Sequence, residues 1–281
     1  MSGTLYVVAT PIGNLEDVTL RALRVLREAS LIAAEDTRRT RKLLQHYSIS
    51  TPTTSLHEHN ERSKSAHLIA RLKAGESIAL VSDAGTPLVS DPGAALVAAA
   101  HAADIRVEPI PGPSAAMAAL SAAGFQNDLV HFAGFPPPKG AARRQWFERA
   151  ASLAGILVLY EAPHRIRDTL EDLRQILGNV PTAVGRELTK THEELVVRPI
   201  SSHLEELAEG RGEYTLVVEL PRGPASSVQV PGDQELMAEF GFLTNSGDLA
   251  RRAGIKELAR RYNLSPKDVY QRLERSKKAG Q

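Results

Sequence analysis

Several short segments of this chain gather carboxylates, hydroxyls and cations beside glycine or proline at the end of an apolar run. The fullest is Ser82-Asp-Ala-Gly-Thr-Pro87. It offers a carboxylate (Asp83), hydroxyls, a glycine that lets a ligand approach the backbone, and a proline that stiffens the loop. Glu35-Asp-Thr-Arg38 sets two acids beside an arginine, either to pair with each other or to meet a substrate. His57-Glu-His-Asn-Glu61 has a His-x-His spacing, yet no further ligands stand at diagnostic distances. A polar loop or substrate contact is therefore expected, and no metal. Glu161-Ala-Pro-His-Arg165 and Glu187-Leu-Thr-Lys-Thr-His192 repeat the mixture in the second half. One such loop reads equally well as an ordinary strand-to-helix turn, so it is the recurrence that points to a site.

These segments need elements to hold them. Apolar runs at Leu5–Ala9, Leu31–Ala34, Thr53–Leu56, Ile78–Val81 and Ile105–Pro109 read as buried strands. Helices are expected at Thr19–Ala29, Arg41–Tyr47, residues 62–74 and Ala94–Ala102, the last with Asp91 as N-cap and Pro92 at its first position. Ser114 is a natural N-cap for a helix over Ala115–Ala123, after the rigid Pro111-Gly-Pro connection. Beyond it, strands at Leu129–Gly134, Ile156–Tyr160, Thr182–Arg186 and Tyr214–Leu220 outnumber helices around Trp146 and over residues 166–177. That balance suggests a mixed sheet with antiparallel members. The predicted class is α/β: a parallel-sheet domain over 1–112, a mixed-sheet domain over 113–221, a Pro/Gly/Ser linker over 222–234 and a small helical domain over 235–281.

The chain has 281 residues, 42% of them hydrophobic, which supports sizeable cores. Its net charge of +1 is unevenly spread. Residues 235–281 hold 10 Lys/Arg against 6 Asp/Glu, leaving 24 against 27 for the remainder. The tail suits a polyanion; the body carries no global phosphate-binding charge. The absence of cysteine excludes disulfides and thiolate chemistry. Met1-Ser-Gly-Thr leads straight into a strand, and no apolar run approaches a membrane span, so a reducing, cytoplasmic setting is expected. No Gly-x-Gly-x-x-Gly, Walker or Gly-x-Ser-x-Gly signature is present, which argues against an ordinary dehydrogenase, P-loop NTPase or α/β-hydrolase. In the tail, a helix around Ile255–Asn263 and a second from Pro266, capped by Ser265 with Val269 and Leu273 inward, describe a helix-turn-helix or a plain helical hairpin.

Seven ordered motifs carry a resemblance. They are Leu5-Tyr-Val-Val-Ala-Thr-Pro-Ile-Gly-Asn-Leu15, Ala33-Ala-Glu-Asp-Thr-Arg38, Leu56-His-Glu-His-Asn-Glu61, Ala79-Leu-Val-Ser-Asp-Ala-Gly-Thr-Pro87, Pro111-Gly-Pro-Ser114, Tyr160-Glu-Ala-Pro-His-Arg165 and Arg186-Glu-Leu-Thr-Lys190. In order and spacing, residues 4–221 resemble the small-subunit rRNA methyltransferase I family, 16S rRNA cytidine-2′-O-methyltransferases of the tetrapyrrole methylase superfamily. The tail is similar to the helix-turn-helix domain that often closes those proteins.

The resemblance implies two α/β domains with S-adenosylmethionine in the trough between them, usually in a homodimer. It places Asp83, Gly85, Thr86, Pro87 and Leu88 along the cofactor, Ser114 and Ala115 at the domain boundary, and Phe135 and Ala162 opposite. A zwitterion of that kind needs backbone donors and apolar walls, and a carboxylate such as Asp83 favours its sulfonium. Asp36 and Glu61 are the candidate proton acceptors, Arg38 and Lys190 orient RNA phosphates, and Asn14, His57, Arg165 and Arg186 are the remaining substrate candidates. Methyl transfer to a 2′-hydroxyl depends chiefly on in-line alignment, so a strong base is not required. In the tail, Arg251, Arg252, Lys256, Arg260, Arg261 and Lys267 are expected to grip 16S rRNA or the 30S subunit. A tetrapyrrole-type small-molecule methyltransferase is the first alternative, and a non-enzymatic nucleic-acid-binding regulator the second.

Overall fold

Regular exchange of apolar runs and amphipathic stretches over the first 110 residues produces a parallel sheet. The computed structural model describes residues 2–126, 128–207, 212–220, 231–245, 251–262 and 264–279. Strands β1 (Thr4–Val8), β2 (Leu31–Ala34), β3 (Thr53–Ser55), β4 (Ile78–Val81) and β5 (Arg106–Ile110) lie in the order β3-β2-β4-β1-β5, every pair parallel. Alternate residues of β2 serve opposite faces. Ile32 and Ala34 pack on α1 (Leu20–Glu28) and α2 (Thr37–His46), whereas Leu31 and Ala33 pack on α3 (Glu61–Lys73) and α4 (Ala94–Ala102). Burial on both faces explains why β2 and β4 read as unbroken apolar runs.

The second sheet follows α5 (Ala115–Ala123). It is built from β6 (Val130–Phe132), β7 (Gly155–Glu161), β8 (Pro181–Arg186), β9 (Glu194–Pro199) and β10 (Tyr214–Leu220) in the order β6-β7-β10-β8-β9. Only β6 and β7 are parallel; the other pairs are antiparallel, giving the expected mixed sheet. One face packs on α6 (Gly140–Ala151), α7 (Ile166–Leu177) and α8 (Ile200–Glu206) through Phe147, Leu170, Leu173 and Ile200. The other packs on α5, with Ile12 from the loop after β1 joining the same cluster.

Both sheets belong to one compact unit, Met1–Pro221, and Arg222–Gln281 forms another. The second unit holds α9 (Asp233–Asn245), α10 (Arg251–Arg261) and α11 (Pro266–Ala279) around Leu236, Phe240, Leu258, Val269 and Leu273. Ser265 caps α11 as expected: its hydroxyl accepts from the Asp268 N–H at 3.1 Å and donates to the Asp268 carboxylate at 2.7 Å. Most of the linker, 222–230, and the side chains of Arg260 and Arg261 lie outside the described residues. Among the described residues no helix is long and apolar enough to cross a membrane.

Two helix starts differ from expectation. The helix read from Arg41 begins at Thr37, because Asp36 accepts from the Arg38 N–H at 2.8 Å and nucleates an earlier turn. Asp91 does not cap α4. Gly93 is the N-cap, with φ +126°, and the Ala95 and Leu96 N–H groups donate to Glu61 Oε1 at 2.6 and 3.3 Å. A Cβ on Gly93 would lie 2.8 Å from Leu80 Cδ2, so only glycine lets the chain turn there.

Candidate active site

Parallel strands deliver their loops to one edge, and here the loops after β1, β2 and β4 meet. Thr10 and Gly85 exchange two backbone hydrogen bonds of 2.9 Å, tying the Thr10-Pro-Ile-Gly-Asn14 loop to the Ser82–Pro87 loop. Thr86 Oγ1 donates to the Pro113 carbonyl at 3.2 Å, which adds the connection before α5. Ser114 accepts from the Met117 N–H and so caps α5 as predicted. From the second sheet come the turn after β6, the end of β7 and the start of β10. Together they enclose a cleft of ≈ 400 Å³.

The cleft brings together most of the residues expected at a cofactor. Asp83, Gly85, Thr86, Ser114, Ala115, Phe135 and Ala162 line it; Pro87 and Leu88 do not. Leu88 turns its side chain toward Gly93 and the core instead. Glu35, read from sequence as an acid that either pairs or meets a substrate, also lines the cleft, as do Asp91 and Tyr160, which sequence reasoning did not place there. A larger groove of ≈ 550 Å³ between α7 and α8 contains none of the strand-end loops.

Of the five acids that line the cleft, Glu161 and Glu213 are paired with Arg165 and Lys190, and the other three, Glu35, Asp83 and Asp91, define its electrostatics. The Asp36 N–H donates to Asp83 Oδ1 at 2.9 Å, Arg39 approaches Asp83 Oδ2 at 3.4 Å, and the Asp83 N–H donates to Glu35 Oε2 at 3.3 Å. Burial raises the Glu35 pKa; the hydrogen bond from the Asp83 N–H opposes this, and repulsion from the Asp83 carboxylate offsets part of that opposition. Burial likewise pushes Asp91 up to about 6; a Ser82 hydrogen bond opposes this, and repulsion from Glu35 and Asp83 reinforces it. Acids held at such cost in one cleft favour a cationic occupant. Apolar walls come from Ile12, Val89, Phe135 and Tyr160, whose ring lies 5.5 Å from that of Phe135.

A pH dependence follows. The Asp91 carboxyl is raised in the fold, so its favourable contribution to stability is full below about 3.8 and lost as pH rises through about 6. A cation needs the ionised form. Affinity for a cationic ligand is thus expected to weaken as pH falls through 6, and Asp91→Asn to flatten that profile while raising the melting temperature at pH 8. Calorimetric titration and thermal melts between pH 5 and 8 check both; a parallel pH profile in the variant would count against it.

The expected catalytic residues are dispersed around this cleft. Asp36 is paired with Arg38, whose Nη2 lies 2.8 Å from Oδ2, and the Arg38 hydrogen bond holds its pKa down to about 2. Glu61 is occupied at the amino end of α4. Lys190 lies 2.9 Å from Glu187 and 3.1 Å from Glu213; burial opposes its charge, yet these carboxylates hold its pKa above the usual range. Its loop meets the loop after β1: the Asn14 N–H donates to Thr189 Oγ1 at 3.0 Å, and a Cβ on Gly13 would fall 2.4 Å from Lys190 Cγ. His57 contacts Asn60 at 3.0 Å through Nε2, and its buried Nδ1 has no partner. Arg165 turns inward to Glu161 at 2.7 Å and to the Pro136 carbonyl at 3.3 Å. Arg186 lies in a separate small pocket with Glu194 and Tyr214. Among the described residues, no three His, Asp or Glu side chains are gathered to hold a metal.

Comparison with known proteins gives consistent results. Residues 4–203 match the family model of tetrapyrrole (corrin/porphyrin) methylases. A Pseudomonas aeruginosa protein named ribosomal RNA small subunit methyltransferase I is 48% identical over 233 residues, 80% of this chain and 83% of the relative. A Synechocystis protein of the same name is 43% identical over 274 residues, 96% of each chain. Among solved structures, a diphthine synthase superposes with TM-score 0.62 at 16% identity, covering 77% of this chain and 90% of the other. The Thermus thermophilus uroporphyrin-III C-methyltransferase complexed with S-adenosyl homocysteine gives TM-score 0.55 at 19% identity, covering 77% and 97%.

Proposed function

Since this chain belongs to the tetrapyrrole methylase family, we propose that its acidic cleft binds S-adenosylmethionine for methylation of ribosomal RNA, the acceptor being the 2′-hydroxyl of a cytidine in 16S rRNA. One observation carries the fit: Glu35, Asp83 and Asp91 converge in a half-buried cleft in which, among the described residues, Arg39 is the one cation of the lining. A sulfonium neutralises that repulsion, and the Phe135 and Tyr160 rings suit an adenine. Ser114 and Ala115, at the start of α5, offer backbone N–H groups to a carboxylate.

When bound, the cofactor supplies an electrophilic methyl carbon. The protein's work is then to align and to exclude water. Ile12 and Phe135 close the apolar sides of the cleft, and the Thr10–Gly85 pairing fixes the loop that carries Asp83. With its pKa near 2, Asp36 is a weak proton acceptor, so its part in this proposal is to present Arg38 to RNA phosphate. Glu61 is assigned the support of α4. The 2′-hydroxyl proton would be lost late and pass to solvent water, so no strong base is required of the side chains. Lys190 and Asn14, on the tied loops, orient the ribose and its phosphate, and His57, held by Asn60, is assigned to the loop that borders them rather than to a direct contact through its buried Nδ1.

Exposed Arg252, Lys256 and Lys267 of the tail suit RNA phosphate; Arg251 is already paired with Glu274 at 3.0 Å. The exposed apolar edge at Leu129, Val130 and Phe132 is the surface proposed for a homodimer. A ribosomal substrate carries with it a cytoplasmic setting. The test is to incubate 30S subunits bearing unmodified 16S rRNA with the protein and labelled S-adenosylmethionine, then map modified nucleotides by mass spectrometry. One 2′-O-methylcytidine is the expected result. Label in a porphyrin precursor instead, or RNA binding without transfer, would overturn it.

A further inference from the structure

Beside the cofactor cleft, and sharing Asp83 and Arg39 with it, lies a second pocket of ≈ 180 Å³. That is several times the roughly 30 Å³ share of one liquid water. Leu15 and Leu43 give it apolar walls; Thr10, Thr40, Ser82 and Lys42 give it polar ones. Thr40 is the informative member. The residue is 5% exposed, and its Oγ1 has no hydrogen-bond partner among the described residues. Buried hydroxyls are seldom left unmet, and this one belongs to a residue that lines an open pocket.

The helix bearing Thr40 is also unusual in charge. α2 reads Thr-Arg-Arg-Thr-Arg-Lys-Leu-Leu-Gln-His, with four cations and no acid. Arg38 and Arg39 meet Asp36 and Asp83 at the amino end. Arg41 and Lys42, one turn further along, are exposed. The pocket therefore has a cationic lip over walls that are partly apolar, with a carboxylate and an unmet hydroxyl. A lone phosphate fits poorly, because Asp83 would repel it. A nucleobase fits all of it: apolar walls meet its faces, an exocyclic amine donates to Asp83, and a ring acceptor takes the Thr40 hydroxyl.

Resting on the rRNA reading above, we propose that this pocket seats an amino-bearing base of the RNA substrate, with Thr40 reading its edge and Lys42 and Arg41 holding the adjacent phosphates. α2 then is the RNA-docking helix, and the reacting ribose is brought beside the cofactor through the shared residue Asp83. Uracil, with a carbonyl in place of the exocyclic amine, would be rejected by the carboxylate.

The test compares Thr40→Val and Lys42→Ala with the parent protein, using 30S subunits reconstituted with unmodified 16S rRNA as the probe. Thr40→Val is expected to weaken subunit binding about five- to tenfold. Its folding midpoint should stay level or rise, since an unmet buried hydroxyl has been removed. Lys42→Ala is expected to lower the slope of log affinity against log salt by about one. Calorimetric affinity for S-adenosylmethionine should be unchanged in both, as neither side chain lines the cofactor cleft. Parent-like RNA affinity and salt slope in both variants, with the parent active, overturns the pocket alone. Failure of the parent itself to bind subunits while still binding the cofactor overturns the rRNA reading and the pocket together.

Discussion

Asp83→Ala is expected to weaken S-adenosylmethionine binding about 30- to 100-fold. The carboxylate is the junction of the site: it accepts the Asp36 N–H, meets Arg39, and lines both the cleft proposed for the cofactor and the smaller pocket beside it. Hydrogen bonds to charged groups contribute about 1.5–3 kcal/mol, and alanine also strands the Asp36 N–H. Stability should move little, because the Glu35 and Asp91 carboxylates lose a repulsive neighbour. Asp83→Asn separates the causes. It keeps an acceptor for Asp36 and discards the charge, so a large loss in Asn identifies the charge as the attraction, whereas parent-like affinity in Asn would refute the electrostatic account. Calorimetric titration at pH 8, above the Asp91 transition, is the cleanest reading.

Local signals were the legible ones. The Ser82–Pro87 loop, the Ala94–Ala102 and Ala115–Ala123 helices and the Ser265 cap could be read from neighbours in sequence, because the forces that set them act within one turn. The Asp91 error has the same origin. Short-range rules make an Asp-Pro-Gly sequence a helix start, but Glu61, 34 residues from Ala95, supplies the cap and leaves Asp91 to the cleft. Only the sheet order could reveal this, since α3 and α4 must first pack side by side on one face. The convergence of Glu35, Asp83 and Asp91 was hidden for a similar reason: it requires β2 beside β4. Edge strand β9, with half-exposed Leu195 and Val196, carried too little apolar pattern to be noticed. So did α8, which begins directly after it. Arg165 illustrates the converse case. Its motif suggested a substrate contact, yet the chain folds it 17% exposed against an acid four residues earlier.

That acid gives the largest expected effect on stability. Glu161 has a fully buried carboxylate. Oε1 takes Arg165 at 2.7 Å and the Ala162 N–H at 2.7 Å, while Oε2 takes the Thr169 hydroxyl at 2.5 Å and faces Arg143 at 3.8 Å. The two guanidiniums then donate onward, Arg143 to the Pro137 carbonyl at 3.1 Å and Arg165 to that of Pro136. The network thus fixes the proline turn that presents Phe135, and the strand end that presents Ala162, to the cleft. Glu161→Ala leaves Arg165, largely withdrawn from solvent, without its carboxylate and leaves Arg143, among the described residues, with Asp172 at 2.7 Å as its remaining counter-charge. The expected loss is about 3–5 kcal/mol, read as a lower denaturant midpoint at unchanged slope. Glu161→Gln retains shape and part of the hydrogen bonding and should cost less. If it folds, its S-adenosylmethionine affinity should still fall, because the turn carrying Phe135 is held through Arg165. Parent-like stability in the alanine variant would show that the arginines find other partners, and the turn would then need another explanation for its fixed place over the cleft.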